Sequence, residues 1–378
     1  GGAQEYVWPV WTECAENPIY PQGGTWIYDR AGWCPGQASD VREDDITSLV
    51  TPGQIHNIDY GVVSAFGTSN YWVSSQLVSY ADANHSLDAA VIDILSPTNN
   101  ILYLRKNPIC SKPKITIQNR GNTPLTSLDI EYWINNATNK ELYQWTGNLN
   151  FMETEEIELP DNSSLWANID YSGGVTVGEI TTYESNPELN KIYIEVKNPN
   201  GGNDEYSHNN QLSSSFTPAP IYPNIFTFWY QTNGGIIGGV SETSWDIKDS
   251  QGSIMYSGYN LSPNSQYKDT ISLNDGCYAL HVSDTDDDGL DFWANSDGAG
   301  MLRFRRLEPY IDTSNIPWVY YNWFKTFNLD FGSFIHHEFI TGSAVVNIVE
   351  ESKSYFNIFP NPTSNEIFIK GLNKNNGT

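Results

Sequence analysis

The feature that most constrains this chain is a succession of short runs rich in β-branched and aromatic residues. They are NYWVSSQLVSY (70–80), AAVIDIL (89–95), KITIQN (114–119), LDIEYWI (128–134), KIYIEVKN (191–198), IFTFWYQT (225–232), CYALHVSD (277–284) and MLRFRRL (301–307). Each is bounded by Gly, Asn, Pro or Asp, and each is too short for a helix and long enough for a strand. Helical periodicity is nearly absent, and the abundance of Asn and Ser over Ala and Leu also disfavours long helices. The fold class that follows is all-β, built as serial β-sandwiches.

At 378 residues the chain exceeds one hydrophobic core. A first unit runs to residue 104, and a second, 105–217, carries NRGNTPLTSLDIEYWIN and NGGNDEYSHNNQLSSSF as its edges. The Pro-rich TPAPIYP (217–223) cannot continue a sheet and marks a boundary. A third unit covers 218–346. After the polar linker EESKS a further β element starts and occupies 353–378.

Charge narrows the partners. Nineteen Lys and Arg stand against 45 Asp and Glu, a formal charge of −26, and no run of basic residues offsets it locally. Such a surface repels phosphate backbones, so nucleic acid is not an expected partner. No apolar run reaches the ~18 residues of a membrane span, so no span is expected either. The chain opens on Gly1-Gly2-Ala3 without a basic-then-apolar leader, which fits a mature form or a piece of something larger. Its four Cys suit an oxidising compartment. Cys14 and Cys34, close in sequence, are expected to pair. Cys110 and Cys277 are left either as a pair across domains or as two buried thiols.

Two stretches carry chemistry on their own residues. In GGTWIYDRAGWCPG (23–36), Trp26, Arg30 and Trp33 offer flat faces and directed donors, a stacking surface for a sugar. The same loop, locked by a disulfide, is equally readable as structural. In SDTDDDGLDFWANSDG (283–298), Asp284, Asp286 and Asp288 alternate ahead of Gly289. Closely spaced carboxylates and a Gly-permitted turn begin a Ca²⁺ shell of six to eight oxygens. The loop departs from an EF-hand, since a strand precedes it and Asn295 stands at position twelve; Asp291, Asn295 or Asp297 would complete the shell. A solvated acidic hairpin is the alternative. In His336-His337-Glu338 adjacent strand residues face opposite ways, so the two His cannot chelate together. N-x-[ST] sequons begin at Asn84, Asn136, Asn162 and Asn260, as chance gives at this Asn content.

Four resemblances add to these readings. CAENPIYPQGGTWIYDRAGWCPG (14–36), with NYWVSSQLVSY further on, resembles the carboxy-terminal half of the peptide-N-glycosidase F family over about residues 1–97. Those enzymes are two packed jelly rolls that cleave the bond joining an N-glycan to asparagine. The resemblance implies a Cys14–Cys34 disulfide, with Arg30 contacting the glycan core and Asp29 and Trp33 beside it. The family's catalytic carboxylates lie upstream of this stretch, so no residue here receives the acid or base role; Glu13 and Glu16 read as solvated. Residues 105–217 resemble an Ig-like module, which acts as a spacer or adhesive unit. The Gly-Cys-Tyr before the acidic loop resembles β modules of secreted bacterial hydrolases and adhesins. FNIFPNPTSNEIFIKG (356–371) resembles the opening of the type A sorting domain of type IX secretion cargo. That implies export through the type IX machinery of a Gram-negative cell, ending at the surface or released.

Two function classes follow: the carboxy-terminal portion of a deglycosylating amidase acting on an N-glycan or glycoprotein, or a non-catalytic glycan-binding or adhesive surface protein. In either, the strands of the first unit should need a preceding segment or a second chain to complete their sandwich.

Overall fold

The computed structural model of the protein describes residues 7, 11–12, 14–17, 19, 30–34, 39, 41–51, 53–59, 61, 73–183, 189–312, 319–342, 356–359 and 368–371. The chain forms two compact bodies, 1–342 and 343–378. The described structure is almost entirely β, in several sheets, as the run pattern requires.

The first sandwich uses strands β1 (Ala89–Ser96), β2 (Lys114–Asn119), β3 (Leu125–Ile134), β4 (Glu141–Leu149), β5 (Thr154–Glu158), β6 (Lys191–Lys197) and β7 (Gln211–Ser215). They form a three-stranded sheet β1-β2-β5 and a four-stranded sheet β7-β6-β3-β4, all antiparallel. Strand β6 shows why. Ile192, Ile194 and Val196 are fully buried, while the alternate Lys191, Tyr193, Glu195 and Lys197 face out. On that outer face Lys140 and Lys197 both reach Glu131 and Glu195. The inner face packs on Ile115, Ile117, Leu128, Ile130, Trp145 and Phe216, each burial contributing roughly 1.5–3 kcal/mol.

The second sandwich adds β8 (Ile221–Tyr222), β9 (Ile225–Gln231), β10 (Thr243–Asp249), β11 (Ile254–Gly258), β12 (Gln266–Ser272), β13 (Gly276–Asp284), β14 (Met301–Asp312), β15 (Val319–Thr326) and β16 (Phe334–Thr341). One sheet runs β11-β10-β13-β16-β8 and continues into the hairpin Gly174–Val177 and Ile180–Tyr183; the other runs β12-β9-β14-β15. The β8–β16 pairing is parallel. Between the sheets lies an aromatic core of Tyr222, Phe226, Phe228, Trp245, Phe304 and Phe339.

Two expectations need correction. AAVIDIL, placed in the first unit, is β1 of the first sandwich and pairs with β2. Its Ala89, Val91 and Ile94 join the core of that sandwich, so the sandwich starts well before residue 105. NYWVSSQLVSY was expected to be a strand. Its described part, 73–80, forms none, and Val73, Leu77, Val78 and Tyr80 are 65%, 72%, 53% and 64% exposed. Alternation defines a strand only where a neighbouring strand completes the ladder, and no described strand lies against it.

One buried side chain ties the first region to the second sandwich. Arg105, 5% exposed, donates from Nη1 to the carbonyls of Ala15 and Asn17 and from Nη2 to those of Phe331 and Phe334. Its guanidinium lies 3.9 Å from the Phe334 ring centroid. Ser333 Oγ also donates to the Ala15 carbonyl. In the body 343–378, strands Phe356–Phe359 and Phe368–Gly371 pair antiparallel. No helix among the described residues is long and apolar enough to cross a membrane.

Candidate functional site

Of the four sugar-facing residues expected in the opening loop, Trp26 and Asp29 lie outside the described residues. Arg30 sits in a two-residue strand opposite Thr12, with its side chain outside the description. Trp33 is 45% exposed. Cys14 and Cys34 form a disulfide with Cα atoms 5.3 Å apart, and both are buried. Glu16 is exposed, and Glu13 lies outside the described residues.

The acidic loop gives the clearest site. Strand β13 ends at Asp284, and the chain then turns through Asp287, with φ +64°, and Gly289, with φ +77°. A Cβ on Gly289 would stand 2.5 Å from the Leu329 carbonyl oxygen, so glycine is required on both counts. The turn carries Asp288 back beside Asp284, whose Oδ1 accepts the Asp288 amide at 3.3 Å.

The third carboxylate was not expected. Glu242 enters from the residue just before β10, because β10 pairs antiparallel with β13 and sets Thr243 opposite Asp284. Oxygens of Glu242, Asp284 and Asp288 lie within 4.8 Å of one another, and all three residues are buried. Two oxygens on one Ca²⁺ stand at most about twice 2.3–2.6 Å apart, so this spacing fits a single ion. Asp286, expected as a ligand, is exposed on the outside of the turn and is not one of the three. Its charge still acts on Glu242 and Asp288, as does that of Asp297.

Neutral donors hold the cluster in place. Thr243 Oγ1 donates to Asp284 Oδ2 at 3.0 Å, Asn233 Nδ2 to Glu242 Oε1 at 3.0 Å, and Asn295 Nδ2 to Asp288 Oδ2. Asp288 Oδ1 is buried and has no hydrogen-bond partner. A Cβ on Gly235 would fall 1.9 Å from Glu242 Oε1, so the carboxylate rests directly on that backbone.

Burial, then the charges of Glu242 and Asp288, push the Asp284 carboxyl up to about 8. Burial likewise pushes Asp288 up to about 6, against the Asn295 hydrogen bond, and raises Glu242. Every neighbouring charge that shifts these groups is negative. Such a set needs either bound protons or a cation, and an all-oxygen donor set suits hard Ca²⁺.

The second cluster lies at the junction of the sandwiches. Cys110 and Cys277 form a disulfide, which settles the two open cysteines as a cross-domain pair. Glu338, 5% exposed, accepts from the amides of Cys110 at 2.7 Å and Ser111 at 3.0 Å and from Ser111 Oγ at 2.8 Å. His336 and His337 do face opposite ways. His337 is buried against the Tyr222 hydroxyl at 3.0 Å, whereas His336 meets its cross-strand partner His281, Nδ1 to Nδ1 at 3.3 Å. The adjoining cleft, about 430 Å³, is lined by Lys112, Lys114, Lys248, His281, His336 and Glu338. Lys112–Glu158, Lys114–Glu156 and Lys248–Asp246 form ion pairs around it, and His336 Nε2 lies 3.3 Å from Glu338 Oε1. This cluster is a joint between domains.

Sequence spacing revealed two of the three buried carboxylates. Glu242 precedes its partner by more than forty positions, and only the register of β10 on β13 brings it in. The sole local signal is a glutamate at the mouth of a strand, in GVSETSW.

Comparison with known proteins gives one match. Peptide-N(4)-(N-acetyl-beta-D-glucosaminyl)asparagine amidase F of Elizabethkingia miricola is 35% identical to this chain over 85 residues. That is 21% of this chain and 23% of the amidase, so the chain spans about a quarter of that protein. No family model matches, and neither does any solved structure. The chain thus contains a region similar to peptide-N-glycosidase F within a serial β-sandwich protein.

Proposed function

We propose that this chain is the carboxy-terminal portion of an exported, glycoprotein-directed amidase of the peptide-N-glycosidase type. The observation that carries the reading is the 35% identity over 85 residues to the amidase. The disulfide between Cys14 and Cys34 supports it. In this reading Arg30, with Asp29, Trp33 and Trp26, contacts the N-glycan, and the acid and base come from residues outside the chain. Export by the type IX route, with an outer-membrane surface or released destination, rests on the FPNPT-type stretch near the end.

The test is release of N-glycans from a denatured glycoprotein by the natural full-length protein. Wild type should release glycans, and Arg30→Ala should lower the rate about tenfold or more, the cost of one lost charge-assisted contact. An inactive wild type would overturn the amidase reading and favour the binding class.

We propose further that Glu242, Asp284 and Asp288 hold a structural Ca²⁺ that pins the loop after β13. The buried, unpartnered Asp288 Oδ1 supports this. Calcium at a hundredfold excess over its dissociation constant adds about 2.7 kcal/mol, a rise of roughly 5–10 °C for a domain of this size. Chelation should reverse the rise, and Asp284→Asn should abolish the response to calcium. A melting curve indifferent to calcium and chelator would remove the site.

A further inference from the structure

The outer face of the sheet β12-β9-β14-β15 gathers what the sequence scatters. In register across it stand Lys268, Trp229, Arg303 and Thr326, and in the next row Thr270, Thr227, Arg305 and Trp323. The Lys268 ammonium lies 4.0 Å from the Trp229 ring centroid. Arg303 lies 5.0 Å from that of Trp323, and Arg305 lies 5.7 Å from both indoles. The two indoles are 4.9 Å apart, tilted 48°.

No carboxylate occupies these rows. Asp269, next to Lys268, turns to the other face and accepts from the Tyr230 hydroxyl. Among the described residues, Lys268, Arg303 and Arg305 make no ion pair and no hydrogen bond, and Arg303 Nε, Arg305 Nε and Trp229 Nε1 are buried without an acceptor. Arg306, on the core side of the same strand, does find an acceptor in the Val177 carbonyl. In a chain with 45 acidic and 19 basic residues, three cations facing one way without an acid among them are selectively placed.

We propose that this face binds an acidic polysaccharide, with Arg303, Arg305 and Lys268 taking its anionic groups. Lys268 and Arg303 sit two strands apart, about 10 Å in backbone spacing, so they engage successive anionic groups on an extended chain. Contact with the indoles restrains each guanidinium, which lowers the entropy lost when it grips a carboxylate or sulfate. The neighbouring Thr227, Gln231, Gln266 and Thr270 carry hydroxyls and amides suited to sugar hydroxyls. A nucleic acid fits less well, because three cations neutralise few phosphates and the rest of the surface repels the strand. The proposal stands apart from the amidase reading: a protein that releases no glycan would still bind.

The experiment is affinity electrophoresis of the full chain through gels containing polygalacturonate, dextran sulfate or neutral dextran, with single-stranded DNA as a fourth arm. Wild type should be retarded by polygalacturonate, dextran sulfate or both, and less so as salt is raised. Retardation by only one of them identifies the anion as carboxylate or sulfate. Arg303→Gln should weaken binding about tenfold or more, and Arg303→Lys should weaken it partly, since the charge remains but the planar fork is lost. Both should keep the wild-type circular dichroism. No retardation by either acidic polymer, equal retardation by neutral dextran, stronger retardation by DNA, or unchanged binding in the folded Arg303→Gln variant would overturn the proposal.

Discussion

His281 sits 3.3 Å from its cross-strand partner His336, and around it lie Asp246, Lys248 and Glu338. Burial and the neighbouring His336 push its imidazole down to about 4. His337, enclosed by Tyr222, Phe304, Phe327 and Phe339, is held well below its usual value by burial, with Lys325 adding to the effect. Both imidazoles are therefore neutral in the folded state, whereas the unfolded chain takes up protons as pH falls through about 6.5. Stability is full above that value and declines as pH falls from about 6.5 toward 4. The measurement is melting temperature against pH for wild type and His281→Gln, whose difference isolates this imidazole. The wild type should lose more stability over that window, and parallel curves would show that His281 contributes nothing.

Among the elements, legibility followed the length of the interaction. Strands such as β6 and β9 were readable because alternation is local and their own side chains define the buried face. The 73–80 segment has the same pattern, yet a ladder partner decides the outcome and lies outside any local window. Asp284 and Asp288 were readable from their spacing, whereas Glu242, the His281–His336 pair and the cation-bearing face all arise from register between strands. Arg105 belongs to this second kind. It lies on a short 3₁₀ segment, Ile101–Lys106, and joins the loop at 14–17 to the loop before β16. Arg105→Met keeps the apolar stem but removes the guanidinium donors to the carbonyls of Ala15, Asn17, Phe331 and Phe334, at a cost of about 1–3 kcal/mol or more. The loss should be local. Limited proteolysis should cut within residues 11–34 faster in the variant while the sandwich strands stay protected. Equal cleavage rates would mean that the Arg105 contacts do not hold that region in place.

At the scale of the molecule, the two sandwiches have separate cores yet share a joint that includes one disulfide, one buried carboxylate and the hairpin 174–183, which leaves the first sandwich between β5 and β6 and pairs with β8. The Cys110–Cys277 link spans 167 positions, and in the chain-entropy account closing so long a loop restricts the unfolded state by about 5 kcal/mol. Glu338, on β16, adds three hydrogen bonds to Cys110 and Ser111, so the second sandwich grips the segment leading into β2 of the first. Coupling of this kind makes two cores melt as one, because neither can unfold without releasing the joint. With calcium present, calorimetry of wild type should show a single transition for the body 1–342. The double variant Cys110→Ser, Cys277→Ser keeps small side chains at both sites while removing the cross-link. It should split that transition in two, with only the second sandwich's component moving to higher temperature as calcium is raised, since Glu242, Asp284 and Asp288 all lie there. A single transition in the double variant would mean that Glu338 and the hairpin 174–183 couple the sandwiches without the disulfide. Two transitions that both follow calcium would place the ion's influence on the joint itself.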